Sequence, residues 1–171
     1  MGASKLENIN TIFLDVDGTL TNGKVYLDNG ENEFKAFDVK DGLIIVSALT
    51  LNYNVIIMTG RESQVVARRA AELGITEFYQ GIRDKQGKME QLMQKNNFSY
   101  QNLAYLGDDL NDLAVMKKAA FAACPADAAD DVKEIADFVS EFAGGSGAVR
   151  EILTHLLKAK NDYDKVLELF S

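Results

Sequence analysis

The sequence predicts an α/β domain, a Rossmann-like and mostly parallel sheet with helices on both faces. Three observations lead there. Short apolar segments alternate with amphipathic helical ones along the chain, which is the pattern of βαβ units. The 171 residues suit one domain with one core, so residues 1–171 are read as a single unit. No repeat, low-complexity tract or Pro-rich linker interrupts them, the one proline being Pro125.

Each element has its own local reason. Asn10 to Val16 is apolar and partly β-branched, as a buried strand should be. Lys24 to Leu27 and Glu33 to Phe37 flank Asp28-Asn29-Gly30-Glu31, and Asn-Gly between alternating segments is the strongest short hairpin signal. A helix is expected over 41–52, with Leu43, Ile44, Val46 and Leu49 apolar, and a second buried strand over 54–58. A helix over 62–73 ends at Gly74, a residue suited to C-terminal capping. Strands are expected over 77–80, 103–106, 121–123 and 138–140, and helices over 85–95, 111–118, 128–136, 148–158 and 164–170.

Composition narrows the function. A formal net charge of −8 repels a polyphosphate backbone, so no nucleic-acid partner is expected. A small anionic substrate would need a local positive site, which a metal ion supplies. Cys124 is the single cysteine, which excludes an intrachain disulfide and suggests a reducing, cytoplasmic setting. No apolar run is long enough to span a bilayer, so no membrane is expected. Met1 to Asn10 lacks the basic start and apolar stretch of a signal peptide. Gly2 with Ser4 only faintly resembles a myristoylation start and reads as a chance feature.

In parallel sheets ligands bind at the carboxyl ends of the strands. There the chain places Asp15 and Asp17, then Thr59-Gly60-Arg61, then Lys85, then Gly107-Asp108-Asp109 with Asp112. Asp15-Val16-Asp17-Gly18 offers two carboxyls in unequal surroundings, which suits a nucleophile beside an acid/base. Seen alone, it fits an acidic turn as well. Asp108, Asp109 and Asp112 cluster oxygens that match Mg²⁺. One of them would serve as a helix cap regardless, but three within five residues repel one another without a cation. Thr59-Gly60-Arg61 offers a hydroxyl and a backbone N–H at a helix start, a phosphate-binding arrangement that also fits a plain cap. A lone lysine such as Lys85 is more often solvated.

In this order the residues resemble the four motifs of the haloacid-dehalogenase superfamily. The resemblance implies a Mg²⁺-dependent phosphomonoesterase. Asp15 would attack phosphorus and form an aspartyl-phosphate, and Asp17 would protonate the leaving group and then activate water. The metal would be held by Asp15, the Asp17 carbonyl and Asp108, with Asp109 or Asp112 acting through water or from behind. Thr59 and Lys85 would stabilise the transferring phosphoryl group. Both cap insertion points are short, which implies a capless fold with a projecting hairpin at about 24–37. The exposed apolar groups of that hairpin read as an interaction surface.

At subfamily level Asp15-Val16-Asp17-Gly18, Lys40-Asp41-Gly42, Thr59-Gly60-Arg61, Arg68-Arg69, Gly107-Asp108-Asp109 and Gly144-Gly145-Ser146-Gly147-Ala148-Val149-Arg150-Glu151 resemble the 3-deoxy-D-manno-octulosonate (KDO) 8-phosphate phosphatases. The resemblance implies a sugar-acid phosphate substrate in lipopolysaccharide biosynthesis, and a homotetramer in which a neighbouring subunit roofs each site. Arg61 favours the eight-carbon acid over a nine-carbon sialic-type 9-phosphate. Ala67, where the family often has a first of three arginines, departs from the pattern. Lys40, Arg61 and Arg150 are candidates for the substrate carboxylate, with a surface ion pair as the alternative for each. Arg68 and Arg69 read as lying on an interface or a solvated face. His155 is not expected to bind metal, and Cys124 reads as a small core residue. A non-catalytic oligomerisation module is the alternative from another class.

Overall fold

The computed structural model describes residues 6–30 and 32–171. The expectations placed on Gly2 and Ser4, and on Glu31 in the hairpin turn, lie outside the described residues.

The first strand, β1 (Thr11–Leu14), is buried along its whole length. It is followed by a hairpin of two short strands, β2 (Tyr26–Leu27) and β3 (Glu33–Phe34). Then come α1 (Val39–Thr50), β4 (Asn54–Met58), α2 (Gln64–Glu72), β5 (Glu77–Tyr79) and α3 (Lys85–Asn96). Next are β6 (Leu103–Leu106), a 3₁₀ turn over Leu110–Asp112, and α4 (Leu113–Met116). The chain finishes with β7 (Phe121–Cys124), α5 (Asp130–Ile135), β8 (Phe138–Val139), α6 (Ala148–Ala159) and α7 (Tyr163–Glu168).

Among the described residues the main sheet has six strands in the order β5-β4-β1-β6-β7-β8, all parallel. The four inner strands, β4, β1, β6 and β7, are buried almost throughout, which explains their apolar runs. Alternation along β1 sends Ile12 and Leu14 to one side and Phe13 to the other. On the first side they meet Ile44, Ile45, Val66, Ile152 and Leu156 of α1, α2 and α6. On the second, Phe13 and Tyr105 pack with Met89, Leu92, Val115 and Val132 of α3, α4 and α5. Each fully buried aliphatic side chain contributes roughly 1.5–3 kcal/mol, so the strand ends that carry the site are anchored from both faces.

Gly74 is the expected C-terminal residue of α2: the Ile75 N–H reaches the Ala70 carbonyl at 2.9 Å and the Gly74 N–H the Ala71 carbonyl at 3.1 Å. The hairpin strands are shorter than expected. Residues 24–25 and 35–37 have no ladder partner there, because the hairpin turns one face back onto the domain. Tyr26 and Phe34, paired across the hairpin, share its other face and are exposed, while Leu27, paired with Glu33, is 75% exposed near the hairpin tip. The expected helix over 111–118 begins instead as a 3₁₀ turn, whose N-cap Asp109 accepts a hydrogen bond from the Leu110 N–H.

The topology sets the location of the site. From β1 the chain moves to β4 and β5 on one side, then crosses to β6, β7 and β8 on the other. β1 and β6 therefore flank the switch point, the crevice where open α/β sheets bind ligands.

Candidate active site

Asp15 extends β1 by one residue, its N–H donating to the Leu106 carbonyl at 2.9 Å. The chain then folds sharply, and the N–H groups of Thr19, Leu20 and Thr21 all converge on the Val16 carbonyl. Gly18 makes this turn with φ +98°, and a Cβ there would lie 1.9 Å from Asp108 Oδ2. Only glycine permits both the left-handed backbone and that approach. Gly144 packs against the back of the same loop, where a Cβ would lie 1.8 Å from the Gly18 carbonyl oxygen. The Gly144–Gly147 segment thus buttresses the loop that bears Asp15 and Asp17.

Beneath the cleft lies a buried charged layer. Lys85 opens α3 with its side chain only 1% exposed, and its Nζ donates to Asp15 Oδ1 and Asp112 Oδ1, each at 2.6 Å. Tyr105 donates its hydroxyl to Asp112 Oδ1 at 2.6 Å, and the Asp108 N–H reaches Asp112 Oδ2 at 3.2 Å. Thr19 donates to Asp108 Oδ1 at 3.2 Å. Burial, with Asp112 nearby, pushes the Asp15 carboxyl up from its ordinary 3.8 to about 6, against the opposing pull of Lys85. Burial and the charges of Asp15 and Asp112 push Asp108 up to about 8. Burial works to lower the Lys85 ammonium, but Asp15 and Asp112 outweigh it and raise the group. The layer holds more negative charge than Lys85 neutralises, so protons or a cation must balance it.

Asp15, Asp108 and Asp112 each offer an oxygen within 4.8 Å of the others. An all-carboxylate donor set suits a hard cation such as Mg²⁺. Both Asp112 oxygens already accept hydrogen bonds, while Asp15 lines the open cleft. Asp109 lies outside this group. It is exposed, and its carboxylate caps the 3₁₀ turn.

Above this layer is a cleft of about 170 Å³ lined by Asp15, Asp17, Thr59, Gly60, Arg61, Asp109 and Asn111. Thr59 is buried at the end of β4, and Gly60 and Arg61 lead toward α2, which Ser63 caps. Arg61 stands at the rim with 56% of its side chain exposed, 3.8 Å from Asp17 Oδ2 and 3.5 Å from Glu33 Oε1.

The structure brings Asp15, Asp17, Thr59, Gly60, Arg61, Lys85, Asp108, Asp109 and Asp112 to one strand edge. It places Lys40 and Arg150 elsewhere. Lys40 lies on the exposed face of α1 beside Val39, Leu43 and Val46. Arg150 stands in the first turn of α6, where its N–H donates to Asp41 Oδ1 at 2.7 Å. That contact explains the Lys40-Asp41-Gly42 motif: Asp41 caps a helix whose own N-cap, Gly147, has no side chain to do so. Arg69 is half-buried rather than fully solvated. It turns inward, its guanidinium 5.8 Å from the Phe37 ring centre and hydrogen-bonded to Glu72. His155 stacks on Phe138 at 4.3 Å between ring centres. Cys124 is fully buried in the core.

Sequence reasoning missed Tyr105, Thr19, Glu33 and Lys35. The Lys35 ammonium contacts Asp17 Oδ1, and Ser63 donates to Glu33 Oε2. A signal was available for the last pair, since Glu33 and Lys35 are two apart in an extended segment and so share a face.

A family model for haloacid dehalogenase-like hydrolases matches residues 73–152. The 3-deoxy-D-manno-octulosonate 8-phosphate phosphatase KdsC of Escherichia coli K12 is 44% identical over 162 residues, covering 95% of this chain and 86% of the relative. The 3-deoxy-D-manno-octulosonate 8-phosphate phosphatase of Moraxella catarrhalis, crystallised with a magnesium ion, a phosphate ion and a KDO molecule, superposes with a TM-score of 0.95. That match has 35% identity and covers 99% of this chain and 97% of the other. The cobalt-bound enzyme of Haemophilus influenzae superposes with a TM-score of 0.87 at 36% identity, covering 92% of each chain. With the carboxylate layer, the switch-point cleft and identity across nearly the whole chain in agreement, this chain belongs to the 3-deoxy-D-manno-octulosonate 8-phosphate phosphatase family of haloacid dehalogenase-like hydrolases.

Proposed function

We propose that this chain hydrolyses 3-deoxy-D-manno-octulosonate 8-phosphate to the free sugar acid and phosphate, with Mg²⁺ as cofactor. The observation that carries the reading is Asp15, held on Lys85 at the floor of a cleft that Thr59, Gly60 and Arg61 line above it. The relatives named above act on the eight-carbon acid, which favours it over a nine-carbon analogue.

Asp15 Oδ attacks phosphorus while Asp17 gives a proton to the leaving sugar oxygen, and an aspartyl-phosphate results. Water then attacks that phosphorus, giving its proton to Asp17, and Asp15 is released. Lys85 fixes the attacking carboxylate, and Thr59 with the Gly60 N–H faces the phosphoryl oxygens. Asp15 and Asp108 would hold Mg²⁺, with Asp112 orienting them; the ion would neutralise charge on the phosphoryl group. Arg61, the exposed cation at the rim, is assigned to the substrate carboxylate. Lys40 and Arg150 are not, given their positions.

Arg61→Glu tests the substrate. kcat/KM for the sugar-acid phosphate should fall by about tenfold or more, because the substitution replaces an attraction for the substrate carboxylate with a repulsion. Turnover of p-nitrophenyl phosphate, which has no carboxylate, should change far less. Equal losses on both substrates would remove Arg61 from substrate recognition.

The exposed hairpin residues Tyr26, Leu27 and Phe34 support assembly into a homotetramer in which a neighbour roofs the cleft. Light scattering on a Leu27→Glu, Phe34→Glu variant should report smaller species, and an unchanged mass would remove the hairpin from the interface. A single domain and a cytoplasmic setting complete the reading. Among the described residues no helix is long and apolar enough to cross a membrane.

A further inference from the structure

The inner face of the hairpin belongs to the catalytic machinery: we infer that Lys35 is a positioning residue for Asp17. The inference rests on the assignment of Asp17 as proton donor made above.

Glu33 and Lys35 point one way and Phe34 the other, as residues in an extended segment must. Phe34 is exposed, whereas the Lys35 side chain has 0% exposure although it leaves a surface hairpin. Burying an ammonium is costly unless it meets an anion. Lys35 meets Asp17 Oδ1 directly and lies 3.8 Å from Glu33 Oε1.

Glu33 fastens this arm to the phosphate-facing loop. Its Oε2 accepts from the hydroxyl of Ser63, the cap of α2, just after Thr59-Gly60-Arg61. Its Oε1 has no hydrogen bond and sits between Arg61 and Lys35. Asp17 therefore has one oxygen on Lys35 and the other 3.8 Å from Arg61, a separation too long for a hydrogen bond. Lys35 is the contact that sets the orientation of the carboxyl.

The consequence falls on one bond. As Asp15 Oδ bonds to phosphorus, the bond to the leaving oxygen breaks and that oxygen takes the Asp17 proton. While Asp17 carries that proton, Glu33 is the anion facing the Lys35 ammonium, and the charge that then appears on Asp17 develops beside the same ammonium. A sugar alkoxide leaves poorly without the proton. p-Nitrophenolate is stable as the anion and leaves without it, so only alkyl substrates need Asp17 in place.

The test is single-turnover release of the leaving group from three substrates, each with saturating Mg²⁺. p-Nitrophenyl phosphate needs neither proton nor carboxylate contact, glycerol 1-phosphate needs the proton alone, and 3-deoxy-D-manno-octulosonate 8-phosphate has both groups. Lys35→Met should lower the rates on both alkyl substrates by about tenfold or more relative to the aryl one, a part of the roughly 10²–10⁴-fold that general-acid catalysis contributes. Lys35→Arg should recover most of that loss, and Asp17→Asn should show the same pattern more strongly. Equal losses on all three substrates mean that Lys35 serves the fold, and a loss confined to the sugar acid means that it binds the carboxylate. Either overturns the inference. If Asp17→Asn shifts the alkyl-to-aryl ratio and Lys35→Met does not, the inference falls alone. If Asp17→Asn leaves the ratio unchanged, the proton-donor assignment falls and the inference with it. Should Lys35→Met fail to fold by circular dichroism, Lys35→Gln carries the same comparison.

Discussion

Asp15 and Asp17 are two residues apart, yet their carboxyls are held by unrelated parts of the chain. Asp15 faces down to Lys85, which opens a helix packed on the sheet and is shared with Asp112. Asp17 faces the rim, where Lys35 arrives on a hairpin of two-residue strands and Arg61 on an exposed loop. The lower layer is buried, densely hydrogen-bonded and backed by the core cluster around Tyr105. The rim is half-exposed and anchored by a few side-chain contacts. Phosphoryl chemistry is common to all substrates of such a site and needs a rigid frame. Leaving-group and sugar recognition vary with substrate and sit where sequence changes disturb the core least.

Four measurements would break or sharpen this contrast. The largest effect belongs to Asp15→Ala, which should lower turnover of every phosphate ester by at least roughly 10⁴-fold, as loss of a nucleophile does. Its circular dichroism should stay native. Near-normal activity would sink the covalent mechanism.

Lys85→Met should lower kcat by roughly 10²–10³-fold, the size expected when a stabiliser of transition-state charge is lost. It also leaves Asp15 and Asp112 facing each other without a cation. Metal-free stability should then drop by about 3–5 kcal/mol in urea unfolding, as for broken buried pairs. A stability change no larger than that of an exposed lysine would contradict the lower layer's role.

The third measurement is pH. Asp15 and Asp108 are raised in the fold from 3.8 to about 6 and about 8, chiefly by burial. Between those values the folded chain binds more protons than the unfolded one, so stability falls as pH rises. The Tm of the metal-free chain should therefore decrease from about pH 5 to about pH 8, and the gain from Mg²⁺ should be larger at the upper end, where protons no longer compete. A metal-free Tm that climbs over this span would show that the layer is not overcharged.

Tyr105→Phe should have the smallest effect, about 1 kcal/mol, because Lys85 still satisfies Asp112 Oδ1. A loss well beyond that in urea unfolding would make the tyrosine, rather than Lys85, the anchor of Asp112.

Much of the fold and of the site is legible in the amino-acid sequence. The alternation of apolar strands and helices, the hairpin around Asn29-Gly30 and the Gly74 cap follow from side-chain periodicity and backbone sterics, which act within a few residues. The order Asp15, Thr59, Lys85, Asp108 is legible for a related reason: a parallel sheet delivers the residue after each strand to one edge, whatever the strand order. What the sequence leaves open is how far each side chain reaches across elements. Lys40 and Arg150 carry the right charge but sit elsewhere, Arg69 turns inward onto Phe37, and Tyr105 meets Asp112. Lys35 closes on Asp17 across 18 positions of chain. These pairings depend on the order β5-β4-β1-β6-β7-β8 and on the angle at which the hairpin folds back. Both are set by the packing of the whole core, so local pattern determined which residues stand at the site's edge, and tertiary packing decided which of them touch.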